Sequence, residues 1–423
     1  MRLSSFPLSI AAIVAISACT DRSPAVPLPP NARPAASVTA LPNPPAPWAK
    51  IVEGQTGPTS VYALYVPRYW NGDAVYYAHG IRSPYDPVGF DDMQDSLSVV
   101  RDSLGVMGYA VAYSSFDLNG LAVKDGAERT HQLRGLLASQ LNGQPKRSFL
   151  LGLSLGGLIT LDLAESYPKQ YDGMLTMCGM VGGSPLELQY VGDVRTLFDF
   201  YYPGVLPGNT ISVPDTQPNL GQVVGMVVGA ISGNPAGLFA IASTAQTPLA
   251  YAPIGDITNP TSVAFGSLVQ SLATALYYQL VATPSVTALT HGHSPYGNRG
   301  VTYTLGTPVI PNPVGLSLMI AAANAGVTRY DIAPDARNYL NKYYVPTGQL
   351  GFPVVTVHNL WDPLVPYFHE PALAGIVAAA GESNMLLQRA VPNYSHCDFP
   401  TSLVTASFRT MVDWVTTGNK PAN

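Results

Sequence analysis

The residues with the most chemical promise lie in Ser148-Phe149-Leu150-Leu151-Gly152-Leu153-Ser154-Leu155-Gly156-Gly157. The segment reads as an apolar strand, a Gly-x-Ser-x-Gly turn and the start of a helix. Glycines two before and two after Ser154 let helix and strand approach closely, so the serine hydroxyl stands clear of the sheet edge. A helix N-terminus beside it favours developing negative charge. The chemistry would be nucleophilic attack on a carbonyl. For that, the serine needs a base to take its proton, and the base needs an orienting carboxylate. Without those partners the segment is a Gly-rich strand-to-helix turn carrying an inert serine. His291 and His293 form a His-x-His pair, but no third ligand is evident nearby, so no metal site is read there.

The surrounding elements must deliver any partners. Strands are predicted at Ser60–Val66, Asp73–Ala78, Tyr109–Tyr113, Ser148–Leu153 and Gly173–Cys178. Helices are predicted at Asp91–Met107, where Met93, Leu97, Val100 and Leu104 share a face, at Arg129–Leu141 and at Leu155–Ser166. This alternation argues a parallel sheet with helices on both faces. It breaks over 183–350, a stretch rich in aromatics, Gly and Pro and poor in charge. Within it Leu220–Ala245 has the apolarity of a membrane helix, but Gly225, Gly229, Gly233 and Pro235 interrupt it, which favours packed helices. The α/β pattern resumes with strands at Pro353–His358 and Asn384–Ala390 and helices at Pro371–Ala380 and Ser402–Val415. The organisation is a core at 49–182 and 351–423, with a mainly helical cap inserted at 183–350.

The turn at Ser154 and the order of elements resemble the α/β-hydrolase superfamily over Ser60–Gly182 and Phe352–Thr417. The resemblance implies a mostly parallel eight-stranded sheet, with nucleophile, acid and base in that chain order, and a lid inserted after the strand that follows the nucleophile helix. Asp362, in Asp362-Pro363-Leu364-Val365-Pro366, matches the superfamily's Asp-x-x-Val-Pro segment and so takes the place of the acid. His396, in the loop after the last strand, takes the place of the base. Asp398 is the alternative carboxylate, while His79, His131, His358 and His369 are less well placed. The implied oxyanion hole combines the backbone N–H of Leu155 with that of Ile81 in the segment His79-Gly80-Ile81, Gly80 being the alternative. Asn119–Lys124 opens at the same sheet edge, as a pocket wall or a plain connector.

Composition agrees with a large buried core: 47% of residues are hydrophobic and only 11% are charged. A net charge of −5 gives no support to a nucleic-acid partner. Residues 1–18, with Arg2 before the apolar run Pro7–Ile16, read as an export signal, since a membrane span needs roughly 20 apolar residues. Ile16-Ser17-Ala18-Cys19 resembles a bacterial lipobox with Cys19 as the lipidated residue; the alternative is ordinary cleavage nearby. The resemblance, with Thr20 next, implies an outer-membrane lipoprotein facing the periplasm or the outside. Residues 19–48 read as a Pro-rich tether. In an oxidising compartment Cys178 and Cys397 are disulfide candidates, and a bridge would pin the His396 loop to the sheet; two free thiols are the alternative.

These readings lead to a serine esterase or lipase acting on apolar or aromatic esters, small or polymeric, without a cofactor or metal, and meeting a membrane only through its lipid anchor. A peptidase of the same fold would want an acidic group in the cap to hold an α-amine, and Glu187 and Asp193 are available. A non-catalytic binding lipoprotein is the third reading.

Overall fold

Strand β6, Arg147–Leu153, is buried along its length except at its two end residues. Such unbroken apolar runs are what a parallel strand covered on both faces requires. In the computed structural model, which describes residues 39–40, 44–90, 93–214, 218–290 and 292–422, this strand lies in the interior of a nine-stranded sheet. The other strands are β1 (Thr39–Ala40), β2 (Trp48–Gln55), β3 (Val61–Pro67), β4 (Asp73–Ala78), β5 (Ala110–Ser114), β7 (Gly173–Met177), β8 (Val354–Asn359) and β9 (Leu386–Val391). Their spatial order is β1-β2-β3-β5-β4-β6-β7-β8-β9. The first three pairings are antiparallel and the rest parallel. The seven strands located in the sequence are β3 to β9; β2 makes up the eight that the resemblance implies, and the two-residue β1 adds a ninth at the edge.

Helices cover both faces. Ala74, Tyr76 and Leu150 point into a core with helices α2 (Val123–Leu141), α3 (Leu155–Ser166) and α10 (His369–Ala379). Val75, Tyr77, Phe149 and Leu151 point the other way, toward α1 (Met93–Val106) and α11 (Thr401–Thr417). The alternation along each strand is the period of two that a pleated strand imposes.

Between β7 and β8 come α4 (Ser184–Tyr201), α5 (Leu220–Gly233), α6 (Pro235–Ala242), α7 (Val263–Leu289), α8 (Pro313–Gly326) and α9 (Pro334–Lys342). Residues of α4 to α8 share a hydrophobic cluster of their own. The apolar stretch at 220–245 divides at Gly233 and Pro235, where α5 and α6 meet at Asn234 with a bend of 110°, whereas Gly225 and Gly229 lie inside α5 without interrupting it. No single helix among the described residues is long and apolar enough to cross a membrane.

Some boundaries differ from the sequence reading. Trp48, assigned to the tether, opens β2 and is only 1% exposed, its ring edge-on to Tyr65. Lys50 and Glu53 interrupt the apolar alternation of β2, which is why its strand pattern does not show in the sequence. Helix α2 begins at Val123 and not at Arg129, because Gly126 and Ala127 pack inward where larger side chains would mark the face. The export signal, Cys19 and most of the tether lie outside the described residues, as does His291.

Two glycines fix how α3 leaves the sheet. A Cβ on Gly152 would meet the carbonyl oxygen of Gly156 at 2.4 Å, and one on Gly156 would meet that of Ala78 at 2.0 Å. Both obstacles are backbone, which cannot swing aside. Gly156→Ala is therefore expected to destabilise the protein by about 3 kcal/mol. Urea unfolding checks this, and an unchanged midpoint would contradict so close an approach of α3 to β4.

Candidate active site

Ser154 stands between β6 and α3 with φ 55° and ψ −120°, a conformation that side chains rarely adopt. Gly152 and Gly156, where a Cβ would clash, make room for this backbone, and it carries the hydroxyl out of the sheet. Ser154 is buried, and its Oγ lies 3.0 Å from Nε2 of His396. His396 occupies the loop between β9 and α11. Its Nδ1 donates to Asp362, at 2.8 Å from Oδ2 and 3.0 Å from Oδ1. Asp362 is fully buried in the turn after β8, where its Oδ1 also accepts the backbone N–H groups of Leu364 (2.8 Å) and Val365 (3.0 Å). Three donors thus hold one carboxylate, and the imidazole tautomer that leaves Nε2 free to accept from Ser154 is set.

The His396 loop is tied down from three sides. A disulfide joins Cys397 to Cys178 at the end of β7, with Cα atoms 5.4 Å apart. The Asn359 amide donates to the backbone and hydroxyl oxygens of Ser395, both at 2.9 Å. The Tyr394 hydroxyl donates to the carbonyl of Ser267 on α7 at 2.7 Å, coupling the loop to the inserted helices. Cys178, His396 and Cys397 are close enough together to hold a metal, but both sulfurs are consumed by the disulfide. Asp398 is exposed, and no hydrogen bond joins it to His396.

The backbone N–H groups of Leu155 and Ile81 donate to nothing among the described residues. Ile81 lines a cavity at Ser154, and Gly80 packs against the serine so closely that a Cβ would sit 3.2 Å from that of Ser154. His79 has a part in this that its sequence position did not reveal. Its Nδ1 donates to the Gly80 carbonyl at 2.7 Å, and its ring stacks on Phe116 at 3.9 Å. In a trans peptide the C=O and the following N–H point oppositely, so holding the Gly80 oxygen aims the Ile81 N–H. Burial pushes His79 down to about 4, which keeps it neutral in this role.

The cavity at Ser154 is apolar and small, about 20 Å³. Its walls include Ile81, Leu121, Leu188, Val191 and Ala282, so it lies where the sheet edge meets α4 and α7. Leu121 belongs to the loop 119–124, whose Leu121 N–H donates to the Ser285 hydroxyl of α7 at 3.1 Å. That loop is therefore a wall of the pocket as well as a connector.

Two buried pairs escaped the sequence reading. Behind Asp362, His358 donates from Nε2 to the Val365 carbonyl (2.9 Å) and from Nδ1 to Glu370 (3.1 Å). Burial acts to lower the pKa of His358, but the hydrogen bond and charge of Glu370 outweigh it and raise it. Beside the cavity, His369 donates from Nε2 to Glu187 at 2.8 Å. Asp193, the other acidic residue considered in the inserted region, is saturated by Tyr296 (2.7 Å), Tyr303 (2.9 Å) and Gln189 (2.9 Å). His131 hydrogen-bonds Tyr171 at 2.9 Å, and His293 pairs with Asp335; neither approaches the site.

No family model matches the chain, and no curated protein matches it in sequence. Solved structures similar to it include feruloyl esterase B from Aspergillus oryzae, at 14% identity over 92% of this chain and 88% of that one, TM-score 0.45. Tannin acyl hydrolase from Aspergillus niger is similar at 11% identity over 92% and 83%, TM-score 0.45. The rice cell wall degrading esterase LipA from Xanthomonas oryzae is similar at 14% identity over 86% of each chain, TM-score 0.41. In strand order, in the left-handed serine between β6 and α3, and in the placement of Asp362 and His396 after the last two strands, this chain has the α/β-hydrolase fold.

Proposed function

We propose that the protein is an exported serine hydrolase that cleaves carboxylic esters through Ser154, His396 and Asp362. The observation that carries this reading is the unbroken hydrogen-bond chain from Asp362 through His396 to Ser154, ending in an apolar cavity beside two unused backbone N–H groups. In the proposed reaction His396 takes the Ser154 proton as Oγ attacks the ester carbonyl. The N–H groups of Leu155 and Ile81 receive the oxyanion, and losing one such donor typically raises the barrier by about 3 kcal/mol. His396 then returns the proton to the departing alcohol. In the second half it activates water, which releases the acid from Ser154.

The apolar walls favour uncharged acyl or aryl groups. A cavity of this size admits a chain only when the side chains of α4 and α7 give way, so the inserted helices act as the lid. The apolar run at 7–16 and Cys19 support export with a lipid anchor, and a disulfide bond beside the base is in keeping with an oxidising compartment. The peptidase reading has one observation in its favour, Glu187 in the cavity wall. Burial and the Asp362 charge push that carboxyl up to about 8, which leaves it protonated near neutrality and a poor anchor for an α-ammonium group.

The test is hydrolysis of 4-nitrophenyl esters from acetate to palmitate by the mature protein. Measurable turnover with an optimum chain length is expected. A folded protein inert on every ester would overturn the esterase reading, and aminoacyl anilides would then test the peptidase. Failure to react with a fluorophosphonate would instead leave the binding lipoprotein.

A further inference from the structure

We propose that Glu187 is a recognition residue for the substrate: its carboxyl group donates a hydrogen bond to an ether, hydroxyl or carbonyl oxygen carried close to the scissile bond. The preferred substrates are then oxygenated esters and not plain alkyl ones. The assignment rests on the ester-hydrolase reading and deepens it.

The cavity at Ser154 has mostly apolar walls, and Glu187, on the first turn of α4, is the carboxyl group among its lining residues. One of its oxygens is committed. Gly182 donates its backbone N–H to Nδ1 of His369 at 3.0 Å, which places the His369 proton on Nε2, and that proton goes to Oε2 of Glu187. Burial, with the neighbouring His358, holds His369 down to about 3, so it is a neutral donor and not a cation. Oε1 has no hydrogen bond from any described residue.

Other groups act on Glu187 from each element packed round it. Asp362 follows β8, His358 is on β8, His396 follows β9, Tyr190 shares α4, and Tyr278 of α7 lines the same cavity. Burial first and Asp362 second push the carboxyl up to about 8, against weaker pulls from His396 and His358. Near neutrality the group therefore carries a proton that His369 cannot accept. Buried donors are rarely left without an acceptor, and here the open side is the wall of the substrate cavity.

The test compares kcat/KM for 4-nitrophenyl 3-methoxybutyrate with that for the butyrate between pH 6 and 9.5. The methoxy oxygen accepts but cannot donate, so the ratio reports the Glu187 proton. Wild type is expected to favour the methoxy ester about tenfold at pH 6.5, with the preference fading as pH rises through about 8. Glu187→Gln, whose amide donates at every pH, is expected to keep the preference across the range. Glu187→Leu is expected to lose it throughout. A wild-type ratio near one, or one unchanged by Glu187→Leu, would overturn the assignment. So would a preference for a 3-aminobutyrate ester growing through pH 8, which would mark an ammonium site. Were Glu187→Leu not to fold, the pH-independence of the Glu187→Gln ratio decides. Should neither ester turn over, the esterase reading falls. Calorimetric binding of the two esters to wild type and Glu187→Gln at pH 6.5 and 9 then decides the Glu187 assignment by itself.

Discussion

Ser154→Ala is expected to lower kcat/KM on 4-nitrophenyl esters on the order of 10⁵-fold while leaving the unfolding midpoint within about a degree. The side chain makes a single hydrogen bond, from Oγ to Nε2 of His396, and no part of the sheet rests on it. Alanine keeps the Cβ and therefore meets the unusual backbone at φ 55° no worse than serine does. The variant should retain whatever the apolar cavity and the Leu155 and Ile81 N–H groups contribute, so residual hydrolysis above buffer is expected, without a burst of nitrophenol. Rapid-mixing measurement of that burst is the decisive observation. A burst of normal amplitude in Ser154→Ala would place the nucleophile elsewhere.

Asp362→Asn should be nearly as damaging, about 10⁴-fold, for a reason the geometry makes specific. The backbone N–H groups of Leu364 and Val365 both donate to Oδ1. An asparagine must present its carbonyl oxygen to those two donors, and its NH₂ then occupies the place of Oδ2, 2.8 Å from Nδ1 of His396. An NH₂ there donates to Nδ1, so the imidazole proton moves to Nε2. Nε2 then faces Ser154 as a donor and cannot take its proton. Folding should survive, because the amide still satisfies the turn. Kinetics and thermal unfolding measured together check both halves. Activity within tenfold of wild type would show that another group orients His396.

The parts of the site that were legible in the sequence are those encoded by short-range spacing. Gly152, Ser154 and Gly156 sit within five residues, and the contact of Gly152 with the Gly156 carbonyl belongs to the turn itself, while the Ala78 carbonyl that Gly156 meets comes from the end of β4. Asp362 and His396 were singled out by their position after successive strands, and in the structure His396 hydrogen-bonds Asp362 on one side and Ser154 on the other. Glu187 with His369, and His358 with Glu370, were beyond that kind of reading. Glu187 and His369 are 182 positions apart and are paired only because α4 and α10 converge at the end of β7. A histidine four residues before an acid, as His358 is before Asp362, gives no sign that it lies between that acid, 3.6 Å from its Nε2, and Glu370, 3.1 Å from its Nδ1. The role of His79 is equally silent, since its side chain acts on the orientation of a neighbouring peptide plane. At the amino-terminal edge, Trp48 was hidden by the prolines before it, although it is buried in the core between the sheet and α1.

The bond between Cys178 and Cys397 spans 219 positions, and all six inserted helices lie inside the loop it closes. In the polymer description, closing a ring of that length removes enough freedom from the unfolded chain to stabilise the native state by about 5 kcal/mol. The dependence on ring length is logarithmic, so halving or doubling the enclosed chain alters that contribution by only about 0.6 kcal/mol. The inserted helices can therefore be shortened or lengthened with little effect on what the disulfide contributes to stability, provided the turn of α7 that accepts the Tyr394 hydroxyl is kept. In thermodynamic terms the covalent tie on the His396 loop is nearly indifferent to the length of the chain it encloses.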